Sequence, residues 1–155
     1  MREILFRGKL KDKDEWIGEW IEGIYCPCYW DLYMRRVEKP RIIILSNKGK
    51  TDGLWREVIP ETVGQFTGLT DKNGVRIFEG DILKSTIKII DYADVGFSIS
   101  HYDEEDIGIV EWRKDGFMIA HKSGTWARSF YGCENYVIGN IHDNPEILKG
   151  GGDNG

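Results

Sequence analysis

The chain is poor in the residues that usually carry chemistry. It holds three cysteines and three histidines in 155 residues. It has no serine in a nucleophile elbow and no glycine-rich loop followed by lysine. An odd cysteine count argues against a disulfide framework. Cys26-Pro27-Cys28 is spaced more tightly than the paired cysteines of a metal site, and no second pair stands at a matching distance. Cys133 is alone, and His101, His121 and His142 are scattered. The expectation is therefore no cofactor and no resident metal, with thiols buried or half-buried and Pro27 marking a bend. Long apolar runs are also missing: none approaches the length that crosses a bilayer. The start, Met1-Arg2-Glu3, lacks the apolar stretch of a secretory signal. A cytoplasmic protein with no membrane partner is expected.

A basic excess is missing too. The formal net charge is −5. Residues 1–60 hold 12 Lys and Arg against 10 Asp and Glu, a balance of +2; residues 61–155 hold 9 against 16, a balance of −7. Nucleic-acid binding draws much of its affinity from clustered Lys and Arg that release counterions. The acidic C-terminal part opposes such a partner and leaves only a local basic face open to it.

What the chain does have is glycine and aromatic rings. Nineteen Gly and six Trp, with aromatics at 12%, favour short strands and tight turns over long helices. Hydrophobic content of 41% and charged content of 30% suit a globular core. The length allows one domain, or a small barrel with an extra subdomain. Ile4 to Arg7 reads as a first strand, and Glu15 to Tyr25 as a second with apolar groups on both faces. Arg41 to Leu45 is a β-branched run between Pro40 and Ser46-Asn47-Lys48-Gly49, and reads as a buried strand. Glu61 to Gly64 is too short for a helix. Asp81 to Ile90, Ile107 to Arg113, Phe117 to His121 and Val137 to Ile141 supply further strands, with a hairpin across Lys114-Asp115-Gly116. Residues 91–106 read as a long polar excursion with room for a strand at Phe97 to Ser100.

Two segments are dense in turn residues set between short apolar runs: VIPETVGQFTGLTDKNGVRIFEGDIL from Val58 to Leu83, and VIGNIHDNPEIL from Val137 to Leu148. Asn73-Gly74 predicts a hairpin through a type I′ turn, with positive φ at both central residues. Glu79-Gly80-Asp81 marks a second turn. Asp71 and Asp81 can be read as a carboxylate pair, but short acidic side chains at turns more simply accept nearby backbone N–H groups. His142-Asp143 invites a general-base reading; it sits before Asn144-Pro145, where capping explains the same residues.

These two segments, with the opening MREILFRG, resemble the YopX family, small proteins encoded mostly by phages and prophages of Gram-positive bacteria. The resemblance implies a mainly β protein that includes a small SH3-like barrel, and a tendency to self-associate. It brings no catalytic residues. Combined with the strand pattern, it gives one domain over 1–148, with an N-terminal β part at 1–60, a barrel-like part at 61–148, little helix, and a flexible tail at 149–155. Residues 16–50 and 87–106 carry nothing that matches.

Three functional readings follow. In the first, the protein is a non-enzymatic binder and homo-oligomer, with Trp16, Trp20, Tyr25, Tyr29, Trp30 and Tyr33 as the self-association surface. The aromatic stretch Tyr25 to Met34 either folds back on the core or forms that contact patch. In the second, Tyr29, Trp30, Arg35, Arg36 and Arg41 form a single-stranded nucleic-acid platform; the plain alternative is a solvated turn whose Arg stems cover aromatic faces. In the third, a metal-dependent enzyme gathers oxygen ligands from Asp91, Asp94, Asp103, Glu104 and Asp106. Their spacing does not match a calcium loop, and a run of four acids is ordinarily a solvated loop.

Overall fold

A computed structural model describes residues 4–11, 18–30, 33–45, 51–92, 99–114, 116–131 and 133–149. It divides into two compact units, Met1–Gly68 and Leu69–Gly155. The expected flexible tail lies outside the described residues, except for Lys149.

In the first unit, alternating sequence makes an antiparallel sheet. Its strands are β1 (Phe6–Lys9), β2 (Trp20–Cys26), β5 (Arg41–Leu45), β6 (Thr51–Glu57) and β7 (Gly64–Thr70), while β3 (Tyr29–Trp30) and β4 (Arg36–Val37) form a separate small hairpin. Within this unit the strand order is β6-β5-β2-β1-β7. The core collects Leu5, Leu10, Ile42, Val58 and Phe66. Gly8 lets β1 close over it, since a Cβ there would sit 3.2 Å from both Ile42 Cδ1 and Val58 Cβ. Glu61 to Gly64 forms no α-helix; Pro60–Thr62 is a single 3-10 turn. Thr62 ties that turn to β1, accepting the Lys9 N–H at 2.9 Å and donating to the Ile59 carbonyl at 2.7 Å. The boundary after Gly68, against the expected division at 60/61, reflects the pairing of β7 with β1 through Phe6↔Gln65 and Arg7↔Gly64.

The second unit opens at the hairpin before β8 (Arg76–Phe78). It continues with β9 (Asp81–Tyr92), β10 (Ile99–Arg113), β11 (Gly116–His121), β12 (Ala127–Arg128), β13 (Cys133–Asn140) and a one-turn helix α1 (Glu146–Lys149). The sheet order is β12-β11-β10-β9-β13, all antiparallel. Ile77, Leu83, Val110 and Ile119 are its buried centre, flanked by Phe117, Phe130 and Val137. Gly108 is required by close approach: a Cβ would lie 2.6 Å from Ile119 Cγ2 and 2.7 Å from the Ala120 carbonyl oxygen.

The mainly β expectation holds. The sheets run as open series, and among the described residues no pairing closes the second into the ring of an SH3-like barrel. The polar excursion expected at 91–106 is corrected. Residues 99–106 belong to β10 and pair with β9 from Tyr92↔Ile99 to Ser85↔Asp106; 93–98 lie outside the described residues. Four consecutive acidic residues make this strand look like a charged loop, although Glu105 is exposed and Asp106 buried as strand alternation requires.

Candidate functional site

The turn residues of the two long segments prove to be the joints of the second unit. Asp71 Oδ1 accepts the N–H groups of Asn73 at 2.8 Å and Val75 at 2.9 Å. Its Oδ2 reaches across the fold to the Val137 N–H at 3.0 Å, on β13. The Lys72 N–H donates to the Asn135 carbonyl at 3.1 Å, so the hairpin tip is stitched to the outer edge of β13. Burial alone would raise the Asp71 pKa, but the N–H groups of Val137, Val75, Asn73 and Gly74 outweigh it and hold the carboxyl below its ordinary value. The hairpin stands, but its turn type differs from expectation. Gly74 has φ 83° while Asn73 does not enter positive φ. With the Gly74 N–H donating to Asp71 O at 3.1 Å and the Asp71 N–H to Val75 O at 2.8 Å, this is a type I turn closed by a glycine bulge.

Asp81 is buried and accepts the Phe78 N–H at 2.7 Å. The second segment closes similarly around Asn140. Its Oδ1 accepts the N–H groups of His142 (3.0 Å) and Asp143 (2.9 Å), and its amide donates to Asp143 Oδ2 at 2.9 Å. Asp71, Asp81 and Asn140 thus spend themselves on backbone and turn geometry. These are the local capping roles that the residue types favour.

A cleft of about 460 Å³ does exist in the second unit, lined by Lys84, Glu104, Glu105, Asp106, Ile107, His121, Lys122 and Trp126. The buried Asp106 receives Arg128 Nη2 on Oδ2 at 2.9 Å, a contact not aligned as a hydrogen bond, and His121 Nε2 on Oδ1 at 3.3 Å. The His121 ring stacks on Trp126 at 4.7 Å, 13° from parallel. His121 Nδ1 accepts the Ser123 backbone N–H at 3.1 Å and lies 2.6 Å from Ser123 Oγ. Nδ1 is therefore an acceptor, which puts the neutral ring's proton on Nε2, facing Asp106.

The order Asp106, His121, Ser123 imitates a relay. The imidazole lone pair, however, is already engaged by the backbone of its own turn, and Ser123 does not line the cleft. Sequence reasoning missed this cluster because its members lie on three strands and one turn. The available signal was a single His followed two residues later by Ser in a turn.

The described side chains of Glu105 and Asp106, in the acidic run, are engaged within the fold. Asp106 is committed to Arg128 and His121, Glu105 pairs with Lys84 at 2.7 Å, and Asp103 stands opposite Lys88 in the ladder. Asp94 lies outside the described residues, and the side chains of Asp91 and Asp103 are not described. Among the described residues no group of three or more His, Cys, Asp or Glu side chains is placed to hold a metal. Cys26, Cys28 and Cys133 are half-buried free thiols. Cys26 Sγ meets the Cys28 carbonyl at 2.6 Å, and Arg128 Nη1 approaches Cys133 Sγ at 3.9 Å.

The aromatic set of the first unit is split between faces. Tyr25 stands across from the buried Ile42 and packs on Phe6, ring centres 5.2 Å apart, and burial first, then Cys26, pushes its hydroxyl pKa up. Trp20 belongs to the opposite parity, with Arg7 at 4.6 Å and Lys9 at 5.5 Å from its ring. Tyr33 is exposed, Tyr29 pairs with Val37 in the small hairpin, Trp30 stands opposite Arg36, and Trp16 lies outside the described residues. On Trp20's face, Ile24 and Trp55 stand in one row across β2, β5 and β6 through Ile43, and are 46% and 44% exposed. Neither was singled out from sequence.

The basic cluster covers rings. Arg41 lies 3.6 Å from the Tyr29 ring centre, Arg35 is 5.2 Å from that of Tyr33, and Arg36 pairs with Glu38 at 2.9 Å. Its charge is partly answered within the fold.

The sequence matches the family description YopX protein over residues 28–149. This chain belongs to the YopX family. The match spans both turn-rich segments and every residue of the second unit's sheet, and it begins after the opening strand. Within this YopX protein, the residues that carried the resemblance are those that join hairpin tip to edge strand. No curated protein matches the chain. Among the described residues no helix is long and apolar enough to cross a membrane.

Proposed function

We propose that this YopX protein is a cytoplasmic, phage- or prophage-encoded binding protein that works without catalysis and associates with copies of itself. One observation carries the reading: the row formed by Ile24 and Trp55 on the outer face of the N-terminal sheet, with Trp20 on the same face under Arg7 and Lys9. Large apolar groups side by side on a sheet face gain most from being covered. The face also mixes signs, with Arg7, Lys9 and Arg41 beside Glu22 and Glu57 in the ladder. A mixed face can complement itself across a two-fold axis, as an isologous contact requires.

Sedimentation velocity at low micromolar concentration tests this. Self-association is expected, and Ile24→Ser with Trp55→Ser should shift the population toward smaller species while circular dichroism stays unchanged. A strict monomer would end the reading. No observation lifts the single-stranded nucleic-acid alternative above it, because Arg35, Arg36 and Arg41 already have ring or carboxylate neighbours.

A further inference from the structure

The corner between β2 and the small hairpin carries two thiols, Cys26 at the last position of β2 and Cys28 one residue before β3. Two successive peptide units span at most about 7 Å when drawn straight. The chain bends at Pro27, which brings the two Cα atoms into the range of about 4.4–6.8 Å that a disulfide bridges. The Cys26 sulfur is already turned to its neighbour, 2.6 Å from the Cys28 carbonyl oxygen. The Arg36 guanidinium, from β4, stands at the Cys28 sulfur. That contact, ahead of Glu38, pushes the Arg36 pKa above its ordinary value. Both thiols are half-buried and Pro27 between them is exposed, so a small reagent has access. Cys133 shows the contrast: Arg128 Nη1 lies 3.9 Å from its sulfur, but no cysteine stands near it in the chain.

We infer that Cys26 and Cys28 form a reversible redox site, a dithiol that closes to a disulfide by exchange with a small disulfide. Cys28 is the attacking sulfur. Its proton goes to water, and Arg36 faces the negative charge left on the sulfur. The thiolate bonds to one sulfur of the small disulfide, whose S–S bond breaks and releases the other half as a thiolate that takes up a proton. Cys26 then loses its proton to water, bonds to the Cys28 sulfur and expels the second half. The protein gives up two thiol protons and two electrons, and the small disulfide becomes two thiols. The bend holds Cys26 beside Cys28, so the second step is intramolecular. A ring this short removes little chain entropy from the unfolded state, so it adds little to the stability of the fold and is open to reduction. Those properties suit a redox-responsive site and not a structural crosslink. The site does not depend on self-association.

The test incubates the full, reduced chain with millimolar oxidised glutathione, quenches with iodoacetamide and maps the products by peptide mass. Cys26 and Cys28 fall on one tryptic peptide and Cys133 on another, so the sites are read apart. The first peptide should lose the mass of two hydrogens, carry neither an alkyl group nor glutathione, and return to the dithiol with dithiothreitol. With Cys26→Ser, glutathione should remain attached to Cys28. With Cys28→Ser, it should add to Cys26 at least tenfold more slowly. Arg36→Gln should slow closure at least threefold, and Arg36→Lys should restore most of the rate, which a role confined to packing does not predict. Two alkylated thiols after oxidation, two retained glutathiones with no ring, or oxidation confined to Cys133 would each overturn the site. Equal rates for Arg36→Gln and its parent, or faster addition at Cys26 than at Cys28, would overturn the order of attack. If Arg36→Gln disturbs the fold by circular dichroism, the two single-cysteine variants decide that order instead.

Discussion

At the scale of single residues, Asp71 shows how a carboxylate can be essential without being reactive. Three backbone donors converge on it from two segments far apart in sequence, and a fourth, Gly74, adds to the field that favours its charged form. Asp71→Asn keeps the shape but turns an amide donor toward one of those donors. Leaving a buried donor unmatched costs about 1–3 kcal/mol. The sign of the pH effect follows from the lowered pKa. The charged carboxylate contributes stability above the unfolded value of 3.8, and that contribution is lost as pH falls through the lower folded value. Urea unfolding should therefore find Asp71→Asn less stable than the parent at neutral pH, with the gap narrowing below about pH 4. A gap that stays constant to pH 2 would remove the linkage. Gly108 offers a steric counterpart. Its Cβ position lies 2.7 Å from a carbonyl oxygen that cannot rotate away, so Gly108→Ala should cost about 1–3 kcal/mol by strand displacement.

At the scale of elements, β12 has two ladder pairs, Ile119↔Arg128 and Ala120↔Ala127, so it is held largely by side chains. Arg128 does most of that through Asp106; the two side chains are 13% and 9% exposed. Removing the cation leaves a carboxylate stranded out of water, whose cost is about 3–5 kcal/mol. Arg128→Ala should reach that range, and Asp106→Ala added to it should recover part of the loss. Arg113→Ala, which breaks an ion pair with both members 42% exposed, should stay within about 0.5 kcal/mol. A double-mutant cycle read by chemical denaturation separates these.

The same elements show how far the sequence is legible. Arg41 to Leu45 is readable because a β-branched run between turn residues has few alternatives. Asn73-Gly74 is readable as a hairpin, yet its turn type depends on whether Asp71 accepts the Asn73 N–H, which propensity does not encode. Asp103 to Asp106 misleads because local charge says loop, while Asp106 is neutralised by Arg128, a long-range partner invisible to a window of sequence. Ile24 and Trp55 form a row only after three strands have taken their register. The cluster of Asp106, His121 and Arg128 stayed hidden for the same reason.

At the scale of the whole molecule, charge decides between partners more firmly than any single contact. The formal net charge is −5, and residues 61–155 alone carry −7. Affinity for a phosphate backbone falls with each cation already engaged and each anion nearby, and at 0.15 M salt the Debye length of about 8 Å limits what a small basic cluster can recruit. Arg41 sits over Tyr29 and Arg36 on Glu38, so a nucleic acid binding there would have to displace contacts that the fold already makes. Fluorescence anisotropy with a labelled single-stranded oligonucleotide should therefore show no saturable binding at 50 mM salt and micromolar protein. Self-association should change only weakly across the same salt range if apolar rows rather than long-range attraction drive it. Binding that tightens steeply as salt is lowered, and that disappears with Arg35→Ala and Arg41→Ala together, would instead mean that those rings and guanidinium groups open toward bases and that the basic cluster outweighs the chain's net negative charge.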